Sequence, residues 1–401
     1  MSTSTPAPRR LSVLLSAASF AALGACLTLP GTLLPLIVDR FGIRLVEAGS
    51  MLALQPIGYL LSVGAAGYCI RAFGVRAALI GGLLTAAAGF AAFGTVSGWI
   101  GGALTMFVAG LGFGVMEVAI NALLIAIGGE RRSNLLNFAH LFFGVGSFVA
   151  PVVTAQAVAA GVSWRLLFAL AGGLTAAVGL GWRGLPSGEA AGVTVATGAP
   201  AGSALRSHLA VLLACMLGLY VGTEMGIGTW LTKYLISTRS FTLTGAGTAL
   251  SLYWLGLAAG RLVLSLSAHR VRDEWLLVGL TLLALAALAS GLLVTTPAAV
   301  LICFTATGVG FSGIFPVVVA LGGRRHPSNV AAVTAVLITG AGIGNIVIPW
   351  AMSAIADRIG LVVGMSFYLA MTAVMALLAA VVLRIARQPT AAETALSSAA
   401  P

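Results

Sequence analysis

Twelve times along the chain, a stretch of about twenty residues or more runs apolar between short charged or turn-forming breaks. These stretches are 11–36, 46–70, 74–95, 98–127, 135–160, 163–182, 207–236, 243–268, 274–295, 297–320, 328–356 and 360–386. About twenty residues of helix, at 1.5 Å per residue, cover the hydrocarbon core of a bilayer. In lipid every backbone N–H and C=O needs an internal partner, which leaves helices and closed barrels as the spanning structures. Only 8% of the residues are charged and 59% are hydrophobic, too few charges to face water over a soluble domain of this size. The chain reads as an all-α membrane protein with twelve transmembrane helices. Arg9 and Arg10 before the first span imitate a signal peptide, but that apolar run is too long for an h-region and reads as a helix.

The formal net charge of +11 matters through its placement. The basic residues are nearly all arginine and come in short groups, such as Arg71 with Arg76, Arg131 with Arg132, Arg270 with Arg272, and Arg324 with Arg325. No block of five like charges and no basic stripe with interleaved aromatics occurs, which excludes a nucleic-acid partner. With the N terminus in the cytoplasm, 14 of the 21 Lys and Arg fall on the inner side and six on the outer. The positive-inside rule then puts both termini in the cytoplasm of a multi-pass inner-membrane protein. Cys26, Cys69, Cys215 and Cys303 lie far apart in apolar runs without a C-x-x-C, so they read as small core residues rather than disulfides or metal ligands. No P-loop, G-x-S-x-G or H-E-x-x-H is present; no enzyme activity, metal or cofactor is expected. Gly308-x-Gly310-x-x-Gly313 fits a dinucleotide fingerprint but lies in an apolar span with no strand before it.

The longest polar stretch without a span, Arg183 to Arg206, divides the chain. The expected organisation is a six-helix bundle over 1–182, a cytoplasmic linker over 183–206, a second six-helix bundle over 207–388 and a disordered cytoplasmic tail over 389–401. The halves echo each other: Gly64 and Gly260, Gly112-x-Gly114 and Gly308-x-Gly310, Arg131-Arg132 and Arg324-Arg325, and Gly144-x-Gly146 with Pro151 against Gly342-x-Gly344 with Pro349, all 193 to 198 residues apart. An even number of spans per half makes this a parallel repeat about an axis along the membrane normal, as in two-bundle secondary transporters.

Six plus six spans, the run Gly67-x-x-x-x-x-Phe73-Gly74-x-Arg76 after the second span and Gly260-Arg261 in the eighth resemble the major facilitator superfamily. Several stretches are similar to its fucose/galactose/glucose:proton symporter family. They are Gly112-x-Gly114-x-x-Glu117-x-x-x-Asn121, Asn134-Leu-Leu-Asn137-x-x-His140-x-x-Phe143-Gly144-x-Gly146, Tyr220-Val-Gly222-x-Glu224 with Trp230, Phe315-Pro316 and the glycine run from Gly340 to Pro349. The resemblance implies two pseudo-symmetric six-helix bundles working by alternating access. It also implies conformational roles for Gly67, Arg71, Gly74 and Arg76. Two positions depart from it. Arg71 and Ala72 stand where the superfamily loop carries an acid and a base, and Gly31 stands where the sugar symporters carry a first-span aspartate.

A carboxylate at mid-bilayer costs about 3 kcal/mol, so Glu117 and Glu224 are functional candidates by default. Each is a proton carrier or, on the plainer reading, a structural hydrogen-bonding group. Counted from a turn near Gly129, Asn121 comes level with Asn137 and Glu117 with His140, which predicts one polar cluster and a Glu–His pair able to pass a proton. A satisfied inter-helix network is the rival explanation. Gln55, Asn121, Asn137 and Asn345 are candidate ligands for hydroxyls. Tyr220, Trp230, Tyr253, Trp254, Phe315 and Trp350 are candidate surfaces for C–H faces, or interface anchors. Arg261 is expected to snorkel or to pair with a loop carboxylate; in a half-empty cavity it would attract an anion. The expected activity is secondary transport of a small polar solute, a sugar first, coupled to protons, by a monomer whose other partner is lipid. The alternatives are an exporter of hydrophobic or cationic compounds and a non-transporting membrane sensor.

Overall fold

The computed structural model describes residues 6–184, 201–267 and 271–387. Most of the expected linker (185–200), the tail and Arg270 lie outside the described residues. Twelve helical segments are long and apolar enough to cross a membrane, and no strand occurs among the described residues. The first half holds α1 (Pro6–Phe41), α2 (Leu45–Phe73), α3 (Val75–Phe93), α4 (Trp99–Gly128), α5 (Arg132–Ala159) and α6 (Trp164–Gly181). The second holds α7 (His208–Arg239), α8 (Leu243–Ser267), α9 (Asp273–Leu293), α10 (Pro297–Phe311), α11 (Ile314–Arg325), α12 (Val330–Ile359) and α13 (Leu361–Arg387). The tenth span, expected as one helix, is divided between α10 and α11 at Ser312-Gly313.

Helices in lipid gain little by hiding apolar side chains from one another, so association rests on close packing at small residues. In the first half α1 lies on α5, α2 on α4, and α3 on α4 and α6; in the second α7 lies on α12, α8 on α10, and α9 on α10 and α13. This is one pattern used twice. Gly218 shows what the close approach demands: a Cβ there would lie 2.8 Å from the Gly340 carbonyl oxygen, inside contact distance. Each half has its own apolar core, with Phe90, Phe93, Phe113 and Phe168 in the first and Tyr253, Phe304, Phe311 and Tyr368 in the second.

Contacts between the halves follow the same pseudo-symmetry, with α5 on α8, α12 on α2, and α1 on α7. The polar ones cluster away from the face that carries both ends of the chain. Asp357 at the end of α12 accepts the Leu45 backbone N–H at 3.0 Å and faces Arg44 Nη1 at 3.7 Å. It thus serves the open N-terminus of α2, where free N–H groups favour a negative charge. Lys233 pairs with Asp39 at 3.3 Å, and the Trp350 indole donates to Ser50 Oγ at 3.1 Å. At the terminal face the ion pairs Arg324–Asp273, Arg325–Glu274 and Arg272–Glu274 stay within the second half. The halves therefore meet at the opposite face and part toward the terminal one.

Asp357→Asn removes the charge from this seal. A charged hydrogen bond contributes about 1.5–3 kcal/mol, so a cysteine introduced at Ala53 in an otherwise cysteine-free chain is expected to react with a thiol reagent from the opposite face about tenfold faster in this variant. Equal rates would show that Asp357 does not hold the seal.

Candidate functional site

The parting of the halves leaves a cavity of about 1180 Å³, walled by both. Phe20, Phe113, Phe143, Trp230 and Phe315 give it aromatic walls, and Gln55, Asn121, Asn137 and Asn345 bring amides. Glu117 and His140 from the first half and Glu224, Arg261 and Asp273 from the second reach the wall, Asp273 in an ion pair with Arg324.

Glu117 lies on α4, roughly 16 Å along the helix from its terminal-face end. Its neighbour is Tyr59 of α2, whose hydroxyl is within hydrogen-bonding reach. Close approach of α4 to α2 creates this pairing. A Cβ on Gly114 would lie 2.6 Å from the Tyr59 carbonyl oxygen, and one on Gly110 2.9 Å from the Tyr59 nitrogen. The same seam buries Gln55 to 7% exposure and leaves its Nε2 without a partner among the described residues. The Trp230 indole N–H is likewise buried without one. Buried donors of this kind are rare in folded proteins, and both residues line the cavity.

The expected Glu117–His140 level is shifted. His140 Nε2 and Asn121 Oδ1 share a hydrogen bond of 3.2 Å, and the His140 ring lies on Phe20 with centroids 4.2 Å apart. The reason is the turn: α4 ends at Gly128 and a 3-10 turn over Gly129–Arg131 runs directly into α5. That moves the centre of the hairpin past Gly129 and brings Asn121 level with His140 rather than with Asn137. Asn137 lines the cavity.

Arg261 also departs from expectation, since its partner is not a loop carboxylate. Its Nη2 lies 3.6 Å from Glu224 Oε1 and 3.4 Å from the Tyr220 hydroxyl. The Glu224 side chain is 4% exposed and that of Arg261 40%. Tyr253 donates to the Glu224 backbone carbonyl at 3.0 Å and steadies the α7–α8 contact. Hairpin counting carries a signal for this pair: from a turn near Ser240, Glu224 comes level with Leu257, and the arginine one turn further has the length to reach back. Tyr220, expected at the substrate, is fully buried behind Arg261 and is not in the cavity wall. Tyr253 and Trp254 lie off the wall, and Trp350 belongs to the seal. Tyr59 was absent from the sequence candidates because only its distance from Glu117 distinguishes it from an apolar-face tyrosine.

Among the loop residues, Gly74 has φ +82° and its N–H closes α2 onto Ile70, while Arg76 donates to the Arg183 carbonyl and Arg71 is exposed. Gly31 accounts for the missing first-span aspartate. A Cβ there would lie 2.7 Å from the Gly228 carbonyl oxygen and 2.9 Å from Thr229 Cα, so α1 and α7 touch by backbone at this point.

A family model described as the Major Facilitator Superfamily matches residues 14–270 and 214–400. No curated protein matches the chain in sequence. Among solved structures, the nucleoside transporter NupG is similar with a TM-score of 0.79 at 12% identity, covering 95% of this chain and 100% of its own. A bacterial homologue of the human lysosomal transporter Spinster, inward-facing and occupied, gives 0.75 at 13% identity over 95% and 98%. A D-xylose-proton symporter gives 0.72 at 13% identity over 92% and 96%. At these identities the likeness is one of fold.

Gly31→Asp tests the α1–α7 contact. Overpacking alone costs about 1–3 kcal/mol, so the variant is expected to unfold at lower temperature than wild type and to label faster at Ala53→Cys from the opposite face. Wild-type behaviour in both measurements would mean that the two backbones do not touch there.

Proposed function

The chain belongs to the major facilitator superfamily, and we propose that it is a secondary active transporter of a small polar solute, a sugar in first place, moved with a proton across the inner membrane. The observation that carries the reading is a cavity shared by both halves, shut at one face, with one membrane-buried carboxyl from each half and buried amide and indole donors awaiting partners. Hydroxyls of a sugar meet Gln55, Asn121, Asn137 and Asn345, and its C–H face lies on Trp230 and the phenylalanines. With the arginine-rich terminal face in the cytoplasm, the structure is open inward, and alternating access moves the seal from one face to the other.

The two carboxyls divide the work. Glu224 faces the Arg261 guanidinium, and neutralising it takes away that cation's counter-charge. Glu117 has a neutral hydroxyl as neighbour, so it accepts and releases a proton without disturbing a counter-ion. His140, hydrogen-bonded to Asn121 one turn nearer the terminal face, passes the proton to the aqueous mouth. Gly67, Gly74, Arg71 and Arg76 shape the loop that moves with the first half.

One observation favours the second reading, export of hydrophobic or cationic compounds: the wall is mostly apolar and Glu117 faces no cation. A non-transporting sensor has the least support, because a sensor has no need of a large cavity between its halves.

Uptake of a sugar panel into proteoliposomes, with and without an imposed pH gradient, tests the proposal. Glu117→Gln is expected to lose at least about 90% of gradient-driven accumulation, a tenfold effect, while solute counterflow persists. Undiminished accumulation would place the proton elsewhere, and no response to any polar solute in either gradient would favour the exporter.

A further inference from the structure

Arg261 is more than the transport reading requires. A neutral sugar and a proton need a carboxyl and hydrogen-bonding groups, but they do not need a guanidinium in the cavity wall. Glu224 and Tyr220 both meet Arg261 through Nη2, and at long range, 3.6 and 3.4 Å. Its Nε is buried without a partner among the described residues, and two-fifths of the side chain is exposed. In the open cavity, water serves that exposed part. When the halves close over a solute the water leaves, and the remaining donors need an acceptor. A carboxylate suits them because a guanidinium gives two parallel N–H donors to two oxygens at once.

Position supports this. A Cβ on Gly144 of α5 would touch the Ala258 methyl at 3.0 Å, so the helices carrying His140 and Arg261 meet there across the seam between the halves. One turn toward the terminal face from that contact, His140 stands on one side and Arg261 on the other, and the guanidinium charge is felt at the imidazole. Asn121 and Asn137 complete the first-half side of this level. An anionic group held by Arg261, with hydroxyls on the amides opposite, therefore ties the two halves together.

Charge balance points the same way. Asp273, also in the cavity wall, is paired with Arg324, so Glu117, Glu224 and Arg261 are the charged groups whose balance a solute would alter. Adding one carboxylate and one proton, the latter on Glu117, leaves the total unchanged, whereas a carboxylate alone would not. In a low-dielectric space that constancy favours entry of the pair.

We infer that the transported solute is a small hydroxylated carboxylate, a sugar acid rather than a neutral sugar, with Arg261 as the residue that selects it. The inference rests on the transport reading above. The test is counterflow in proteoliposomes with D-gluconate and D-glucuronate set against D-glucose and D-galactose, for wild type, Arg261→Lys and Arg261→Gln. Wild type is expected to exchange a carboxylate at least about tenfold faster than the neutral sugars. Arg261→Lys, which keeps the charge for Glu224 but loses the two-pronged donor set, is expected to lose most of that preference at unchanged thermal stability. Exchange of neutral sugars with no movement or competition by either acid would overturn the inference and leave the transporter standing. So would carboxylate exchange by a folded Arg261→Gln at the wild-type rate; should that variant not fold, the same result in Arg261→Lys decides. Movement of neither class, in either gradient, would remove the transport of polar solutes itself.

Discussion

Close backbone approach at glycine is the constraint on which the rest of this molecule depends. In hydrocarbon, leucine against leucine is no better than leucine against lipid, so only packing at contact distance distinguishes one helix partner from another. Gly218 beneath Gly340, and Gly110 and Gly114 beneath the Tyr59 backbone, supply that contact. These seams join helices within a half. Where the halves meet one another at the face opposite the chain ends, the polar contacts are different in kind: Asp357 with Arg44 and the Leu45 N–H, and Lys233 with Asp39. The ion pairs here, each with one exposed partner, contribute about 0–1 kcal/mol each, beside about 1.5–3 kcal/mol for the charged hydrogen bond at Asp357. Between the halves a glycine contact also occurs, at Gly31 against Gly228 and Thr229, and the polar seal adds to it.

The seams also determine chemistry. Because α4 lies so close on α2, Glu117 looks onto a tyrosine and Gln55 is buried with a free donor. Because α7 and α8 form a tight hairpin, Glu224 is within reach of Arg261. Two carboxyls at similar depth, in pseudo-equivalent halves, thus sit in unlike surroundings, one facing a neutral hydroxyl and the other a fixed cation. Pseudo-symmetry repeats the scaffold and leaves the two sites free to differ.

Much of this was legible in the sequence, and what was not has identifiable causes. Apolar runs locate all twelve spans because the bilayer imposes their length, and the scarcity of charge picks out Glu117, Glu224 and Arg261. Relative depth was harder. Placing the α4–α5 turn at Gly129 put Glu117 opposite His140, while the 3-10 turn that follows moves the register so that His140 meets Asn121. A residue or two in a turn is enough to change which side chains meet. The break at Ser312-Gly313 and the role of Tyr59 were hidden for another reason: both depend on packing between helices that no local pattern records. Tyr220 was assigned to the substrate from its place in a motif, but a guanidinium lies between it and the cavity.

The distribution of charge at the terminal face bears on which state the chain occupies at rest. Asp273 and Glu274 pair with Arg324, Arg325 and Arg272 inside the second half. The first half presents Arg71, Arg131 and Arg132 there against one acid, Glu130, all exposed. Closing this face brings arginines of one half toward a surface whose acids are already paired, whereas closing the opposite face brings Asp357 onto a helix N-terminus and Lys233 onto Asp39. Like charges approaching one another disfavour the first closure and opposite charges favour the second. The arrangement open at the terminal face is then the one favoured on electrostatic grounds, and the reverse closure needs a contribution from within the cavity. A solute that binds Arg261 on one side and the amides of α4 and α5 on the other supplies a contribution of that kind, because its contacts with both halves are complete only when they come together.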